Sequence, residues 1–263
     1  MKLCFSTLGC TEKSWDDILL LARKYRIDGI EIRGIGGVLN NADIEDFTEE
    51  NATKTKEKAE KIGVAPVVLG TSCMFHSKEC LAAALKEGEE AIKIASRLSI
   101  PYIRVFGNNI VADKTECTER VIHGISALCE MAKGRGVSVL LEVHGDFNTV
   151  EALSPITDAL SPYENFGLIW DIAHSHVPYV ENWLEFYEKM RPYIRHVHIK
   201  DKKTSGGLVL TGEGDVPILP IVERMLADGF NGYFSFEWEK YWHPELAEFE
   251  SALVGFLRVL RGE

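Results

Sequence analysis

The chain has 263 residues with 29 basic and 40 acidic side chains, and its net charge of −11 opposes association with polyanions such as nucleic acid. An apolar fraction of 46% beside 26% charged residues belongs to a folded protein and excludes disorder. No apolar run approaches the ~20 residues of a membrane span, the start has no apolar leader, and the six cysteines show no C-x-x-C spacing, so a cytoplasmic, reduced protein without membrane partners is expected.

Residues 2–8 are a short apolar segment, and Ser14-Trp15-Asp16-Asp17 opens a helix with Ile18, Leu21, Ala22 and Tyr25 in phase. After Asp28-Gly29 a strand over 30–33 carries Glu31 and Arg33 on one side, and Glu31 is expected to reach substrate. Gly34, Gly36, Gly37 and Asn40-Asn41 make a long loop before a charged helix over 48–62. The pattern repeats as strand 65–71 and helix 78–98, strand 102–106 and helix 115–133, strand 137–143 and helix 149–160, then strand 166–171 and helix 182–190. Strand 194–201, helix 217–227, strand 233–238 and helix 244–260 complete it. Eight strand–helix pairs without a compositional break predict a single (β/α)8 TIM barrel domain over residues 1–263. A doubly wound sheet would want G-x-G-x-x-G after an early strand, which is absent.

Chemistry in such a barrel sits at the C-terminal strand ends, where seven of the eight histidines fall. On strand seven, Val197 and Ile199 point one way while His196, His198 and Lys200 point the other. His198 is the expected metal ligand, His196 a support beneath it, and Lys200 a contact for an anionic group of the substrate. Glu142 and His144 share a face of strand five, Asp171 ends strand six, and Glu237 lies between aromatics on strand eight. A buried carboxylate must be paired or bound to metal. Salt bridges would satisfy one of these, but three carboxylates and a histidine on four consecutive strands point to a shared cation. Glu142, Asp171, His198 and Glu237 offer oxygen and one imidazole, a set that suits one divalent ion: Mn²⁺, Mg²⁺ or Co²⁺, with Zn²⁺ also admitted. His174, three residues beyond Asp171, faces substrate or supports the ligands. Two rival readings remain: a metal-free aldolase with Lys200 as Schiff-base nucleophile, and a non-catalytic sugar-binding barrel. Gly212 to Pro217 reads either as a phosphate cradle or as a helix start.

Leu141-Glu142-Val143-His144, Trp170-Asp171-Ile172-Ala173-His174, His196-Val197-His198-Ile199-Lys200-Asp201, Gly212-Glu213-Gly214-Asp215-Val216-Pro217 and Phe236-Glu237-Trp238 together resemble the xylose isomerase-like TIM barrel family. That family includes sugar and sugar phosphate isomerases and epimerases, an endonuclease branch and some dehydratases. The resemblance spans the whole chain and implies that Glu142, Asp171, His198 and Glu237 hold the divalent ion and that His174 faces substrate. In ketose 3-epimerases of the family two Glu ligands act as paired acid and base, roles that would fall to Glu142 and Glu237; the Arg those enzymes carry after the strand-seven His is replaced here by Lys200, Lys202, Lys203 and Thr204. Similarity to 3-dehydroshikimate dehydratases would instead make His144 the proton carrier and Lys200 the anion contact. The implied substrate is a small sugar or polyhydroxy acid, and a homo-oligomer is compatible with the family.

Overall fold

Parallel strands need crossover helices, and those helices cover the outer face of the sheet, so an unbroken strand–helix alternation can close on itself. The computed structural model describes residues 1–111, 113–178 and 182–262. The strands are β1 (Lys2–Ser6), β2 (Gly29–Ile32), β3 (Ala65–Met74), β4 (Tyr102–Phe106), β5 (Ser138–Glu142), β6 (Phe166–Asp171), β7 (Ile194–Ile199), β8 (Asp201–Lys202), β9 (Leu208–Val209) and β10 (Tyr233–Phe236). Eight of them close a parallel barrel in the order β1-β10-β7-β6-β5-β4-β3-β2, while β8 and β9 form a short antiparallel ribbon after β7. The helices are α1 (Trp15–Lys24), α2 (Ala52–Ile62), α3 (Lys78–Leu98), α4 (Lys114–Ala132), α5 (Val150–Leu160), α6 (Ile172–His176), α7 (Trp183–Met190), α8 (Ile218–Ala227) and α9 (Phe249–Arg261). Ser14, Ser77 and Thr149 accept from backbone N–H groups at the starts of α1, α3 and α5, the local signal for each chain reversal. Among the described residues no helix is long and apolar enough to cross a membrane.

The predicted strands and main helices are all present, several with ends shifted by a few residues, such as α2, which begins at Ala52 and not at residue 48. The last helix begins at Phe249 and not at residue 244, because the preceding segment folds back on β10: Trp238 Nε1 donates to Ala247 O at 2.9 Å and Lys240 Nζ to Leu246 O at 2.8 Å. Helix α6 starts directly at the end of β6, and the β8–β9 ribbon fills what reads as loop in the sequence. Apolar side chains between strands and helices form one large cluster, while a small one of Val67, Val68, Leu140 and Ile169, with Tyr102 and Tyr233 against it, floors the barrel. Above that floor the barrel interior is polar, unlike the branched aliphatic layers usual in this fold.

Candidate metal centre

Alternation on β7 sends Val197 and Ile199 into the outer core and turns His196, His198 and Lys200 inward. The parallel register pairs His198 with Asp171 of β6 and Ser235 of β10, setting the three at one height. Glu142 ends β5, and Glu237 follows β10 with its N–H donating to Ile199 O at 3.0 Å. One ligand atom from each of Glu142, Asp171, His198 and Glu237 lies within 4.8 Å of the others, and all four residues are buried. Ligands on opposite sides of a divalent ion stand about 4.2 Å apart at bond lengths near 2.1 Å, so the set fits one ion. His198 Nδ1 has no hydrogen-bond partner, although Glu237 Oε2 stands 3.5 Å and Glu142 Oε1 3.6 Å away. These separations are too long for hydrogen bonds and suit donors facing a common cation.

Two basic side chains flank the set. Arg104 Nη1 lies 3.1 Å from Glu142 Oε2 and 3.7 Å from Glu237 Oε1, and Arg104 Nη2 donates to Thr71 O at 3.1 Å. Lys200 Nζ lies 2.8 Å from both Asp171 Oδ2 and Glu237 Oε2, and it also pairs with Glu239. Burial alone would raise the Glu237 carboxyl, but His198 and Lys200 outweigh it and hold it well below the usual range. Burial opposes Glu142 in the same way, and Arg104 reverses the direction. Burial would lower His198, yet Glu237, Glu31 and Glu142 raise it well above the ordinary imidazole value. Asp171 has a second duty, since its Oδ1 accepts from the N–H groups of Ala173 at 2.9 Å and His174 at 3.0 Å and so starts α6.

Glu31, expected to touch substrate, lies below the set with no exposed surface. Its carboxylate faces His196 Nε2 at 3.0 Å and His198 Nε2 at 2.9 and 3.0 Å, and accepts from Ser235 Oγ at 3.1 Å. Glu31, His196 and His198 also converge closely enough to be read as a ligand group, but three hydrogen-bond donors already surround that carboxylate. An N–H on His198 Nε2 directed at Glu31 leaves the Nδ1 lone pair for the ion, the usual arrangement behind a metal-bound histidine.

Toward the mouth, a cavity of about 280 Å³ is lined by Arg33, Ser72, Arg104, Glu142, His144, Lys200, Glu237 and Trp242, among others. His144 and His174 pack with ring centroids 4.1 Å apart, and burial, Lys200 and His144 push His174 down to about 2, which keeps it neutral. A larger cavity of about 540 Å³ adjoins the first, sharing Lys200 and Glu239 and lined also by His174, Lys202 and His243. Arg104 and Glu239 are not singled out by the sequence reading. Arg104 was nevertheless findable: in Tyr102-Ile103-Arg104-Val105-Phe106 it alternates with Ile103 and Val105, which join the outer core.

The Gly212–Pro217 loop is not a phosphate cradle. Its N–H groups are already taken by the buried Asp201 carboxylate, which accepts from Gly212 at 2.8 Å, Gly214 at 2.9 Å and Val216 at 3.3 Å, as well as from Lys202 at 2.9 Å. A Cβ on Gly214 would stand 1.9 Å from Asp201 Oδ1, so only glycine allows this approach. Asp201→Ala strands these amides and is expected to cost about 3 kcal/mol, read as a melting temperature lowered by roughly 6 to 10 °C.

A family model for the xylose isomerase-like TIM barrel matches residues 19–258, and the chain belongs to that family. Solved structures with the same fold include a probable 3-DHS dehydratase, AsbF, from Bacillus anthracis (18% identity, TM-score 0.76, covering 97% of this chain and 98% of that one). Others are the IOLI protein with a bound zinc atom (21%, 0.76, 97% and 95%) and the 3-keto-D-glucoside 4-epimerase YcjR from E. coli (17%, 0.75, 98% and 99%). No curated protein sequence matches the chain significantly. The neighbours thus include enzymes of two reaction types on one fold.

Proposed function

We propose that the chain is a divalent-metal-dependent isomerase or epimerase of a small sugar, sugar phosphate or polyhydroxy acid. The observation that carries this reading is the convergence of Glu142, Asp171, His198 and Glu237, with His198 Nδ1 buried and unpartnered at their centre. A divalent ion held there would supply Lewis acidity, polarising a substrate carbonyl or hydroxyl oxygen and acidifying the adjacent C–H. The chain's own residues then handle the proton. Glu142 and Glu237 are both ionised and come from opposite sides of β7 in the strand order, each within 3.6 Å of His198 Nδ1, an arrangement that would let one take a proton from one face of a carbon and the other return it to the opposite face. Arg104 keeps Glu142 charged and in place, and Lys200 does the same for Glu237. Glu31 and His196 act from beneath by fixing the ring of His198.

A lyase of the 3-dehydroshikimate dehydratase type is the second reading, favoured by His144. This imidazole lines the cavity without joining the ligand set, so it is free to carry a proton to a departing hydroxyl. The aldolase reading loses support at Lys200: burial would lower it, but Asp171, Glu237 and Glu239 raise it well above its usual value, and a Schiff base needs the neutral amine.

Incubation of metal-loaded protein in deuterated water separates these readings. Deuterium entering a ketose at the carbon beside the carbonyl supports isomerisation or epimerisation. Aromatic absorbance growing from 3-dehydroshikimate supports the lyase. No exchange with any candidate would leave a sugar-binding barrel, and borohydride trapping of substrate on Lys200 would restore the aldolase.

A further inference from the structure

Arg33 follows β2 directly, on the same side of the chain as Glu31 and one step nearer the mouth. Its backbone N–H donates to Thr7 Oγ1 at 2.8 Å, and the residue is only 6% exposed. The guanidinium donates to Ser72 Oγ at 2.8 Å and Leu39 O at 3.3 Å, both neutral acceptors. Among the described residues no carboxylate lies within 4.0 Å of it. The two other basic side chains buried in the barrel, Arg104 and Lys200, are each ion-paired with site carboxylates. Glu87 is the carboxylate on that side, and its Oε1 is engaged by the Ser72 N–H at 2.6 Å. Burial and neighbouring Arg104 push Arg33 down to about 10, which still leaves it charged at neutral pH.

A buried charge persists in a fold when something offsets it. Arg33 has no carboxylate in direct ion-pair contact, with Glu87 and Glu142 attracting it only from farther away, and it forms part of the wall of the cavity that holds Glu142 and Glu237. Space is kept for it there: a Cβ on Gly70 would stand 2.8 Å from Arg33 Cδ and 3.3 Å from Arg104 Nη2. The cavity of about 280 Å³ has room for roughly nine waters at ~30 Å³ each, the scale of one compact ring or a six-carbon chain. Of the three basic side chains lining that cavity, Arg33 is the one not ion-paired with a site carboxylate, so it is the cation best placed to meet an anionic group of the substrate.

We propose that Arg33, together with the Ser72 hydroxyl, is an oxyanion subsite that takes the carboxylate or phosphate end of the substrate, making the substrate an acidic polyhydroxy compound and not a neutral ketose. This rests on the isomerase reading for the other end of the molecule. The fork geometry of guanidinium suits either oxyanion.

Calorimetric titration with D-gluconate, D-glucitol 6-phosphate and neutral D-glucitol tests it, using wild type, Arg33→Met and Arg33→Lys, each metal-loaded and metal-free. At least one acid is expected to bind wild type about 10- to 100-fold more tightly than glucitol. Arg33→Met should erase that preference and Arg33→Lys keep part of it, with the ion content per chain unchanged. Which acid shows the dependence identifies the group. Equal binding of all three probes, no binding of any at millimolar concentration, or a preference that survives in Arg33→Met overturns the proposal. If Arg33→Met does not fold, Arg33→Lys decides: a full, undiminished preference there counts against the fork. Wild type that takes up no ion would sink the metal reading alone, because the gluconate–glucitol contrast is also measured in metal-free protein.

Discussion

The Glu237→Gln protein is expected to purify without its divalent ion and to lose turnover by at least ~10³-fold. The amide matches the carboxylate in shape, so packing is not the cause; charge is. Around His198 stand Glu31, Glu142, Asp171 and Glu237, four buried anions, and the buried cations in direct ion-pair contact with them are two, Arg104 and Lys200. One divalent ion closes that difference, whereas a proton on His198 closes half of it. Removing one anion makes the protonated, ion-free state electroneutral and leaves the ion in excess, and it also deletes a ligand. Affinity should fall by more than about a hundredfold. Glu239 is the matched control: it pairs with Lys200 from the rim, with 21% of its side chain exposed, and lies outside the ligand group. Glu239→Gln should keep one ion per chain in elemental analysis. Full ion content and turnover in Glu237→Gln would mean that Lys200 and Arg104, not a metal, balance these carboxylates.

Parity on strands made most of this site readable in the sequence, because a carboxylate or histidine in phase with a strand's inward residues has nowhere to go but the barrel. Glu142, Asp171, His198 and Glu237 all followed that rule. Arg104 obeys it as well, but a lone arginine in an apolar strand also fits an exposed position, and only the neighbouring carboxylates tell the two apart. Distances across the barrel were not readable. Lys200 has the reach to meet a substrate at the mouth, yet three carboxylates, one at the end of β6 and two in the segment after β10, take its charge first, which leaves Arg33 to face the cavity. The Glu31 placement likewise depends on a contact between residues 165 and 167 positions apart, which periodicity does not encode. At residue 244 local pattern and tertiary contact disagree, and the hydrogen bond from Trp238 to Ala247 O wins over a helical period.

Divalent-ion affinity is expected to rise about tenfold per pH unit through neutral pH, with one proton released per ion. The sign follows from the groups involved. Glu142 and Glu237 are held below the usual carboxylate range and are already ionised, so they contribute no proton in this window. His198 is held well above its ordinary value, so in the ion-free protein its Nδ1 carries a proton that the ion must displace. The rise should therefore begin above the carboxylate range and level off once pH passes the elevated His198 value. Glu31→Gln separates the positioning role of Glu31 from simple structural support. Without the anion 2.9 Å from Nε2, His198 holds its proton less tightly, so the curve should shift to lower pH. At the same time the ring loses the acceptor that orients it, and the plateau affinity should fall by about 10- to 100-fold. Mn²⁺ titration in two buffers of different ionisation enthalpy counts the protons and locates the midpoint. A lowered plateau with an unmoved midpoint would mean that Glu31 merely fills the barrel; a shifted midpoint with a lowered plateau would tie it to the His198 ring.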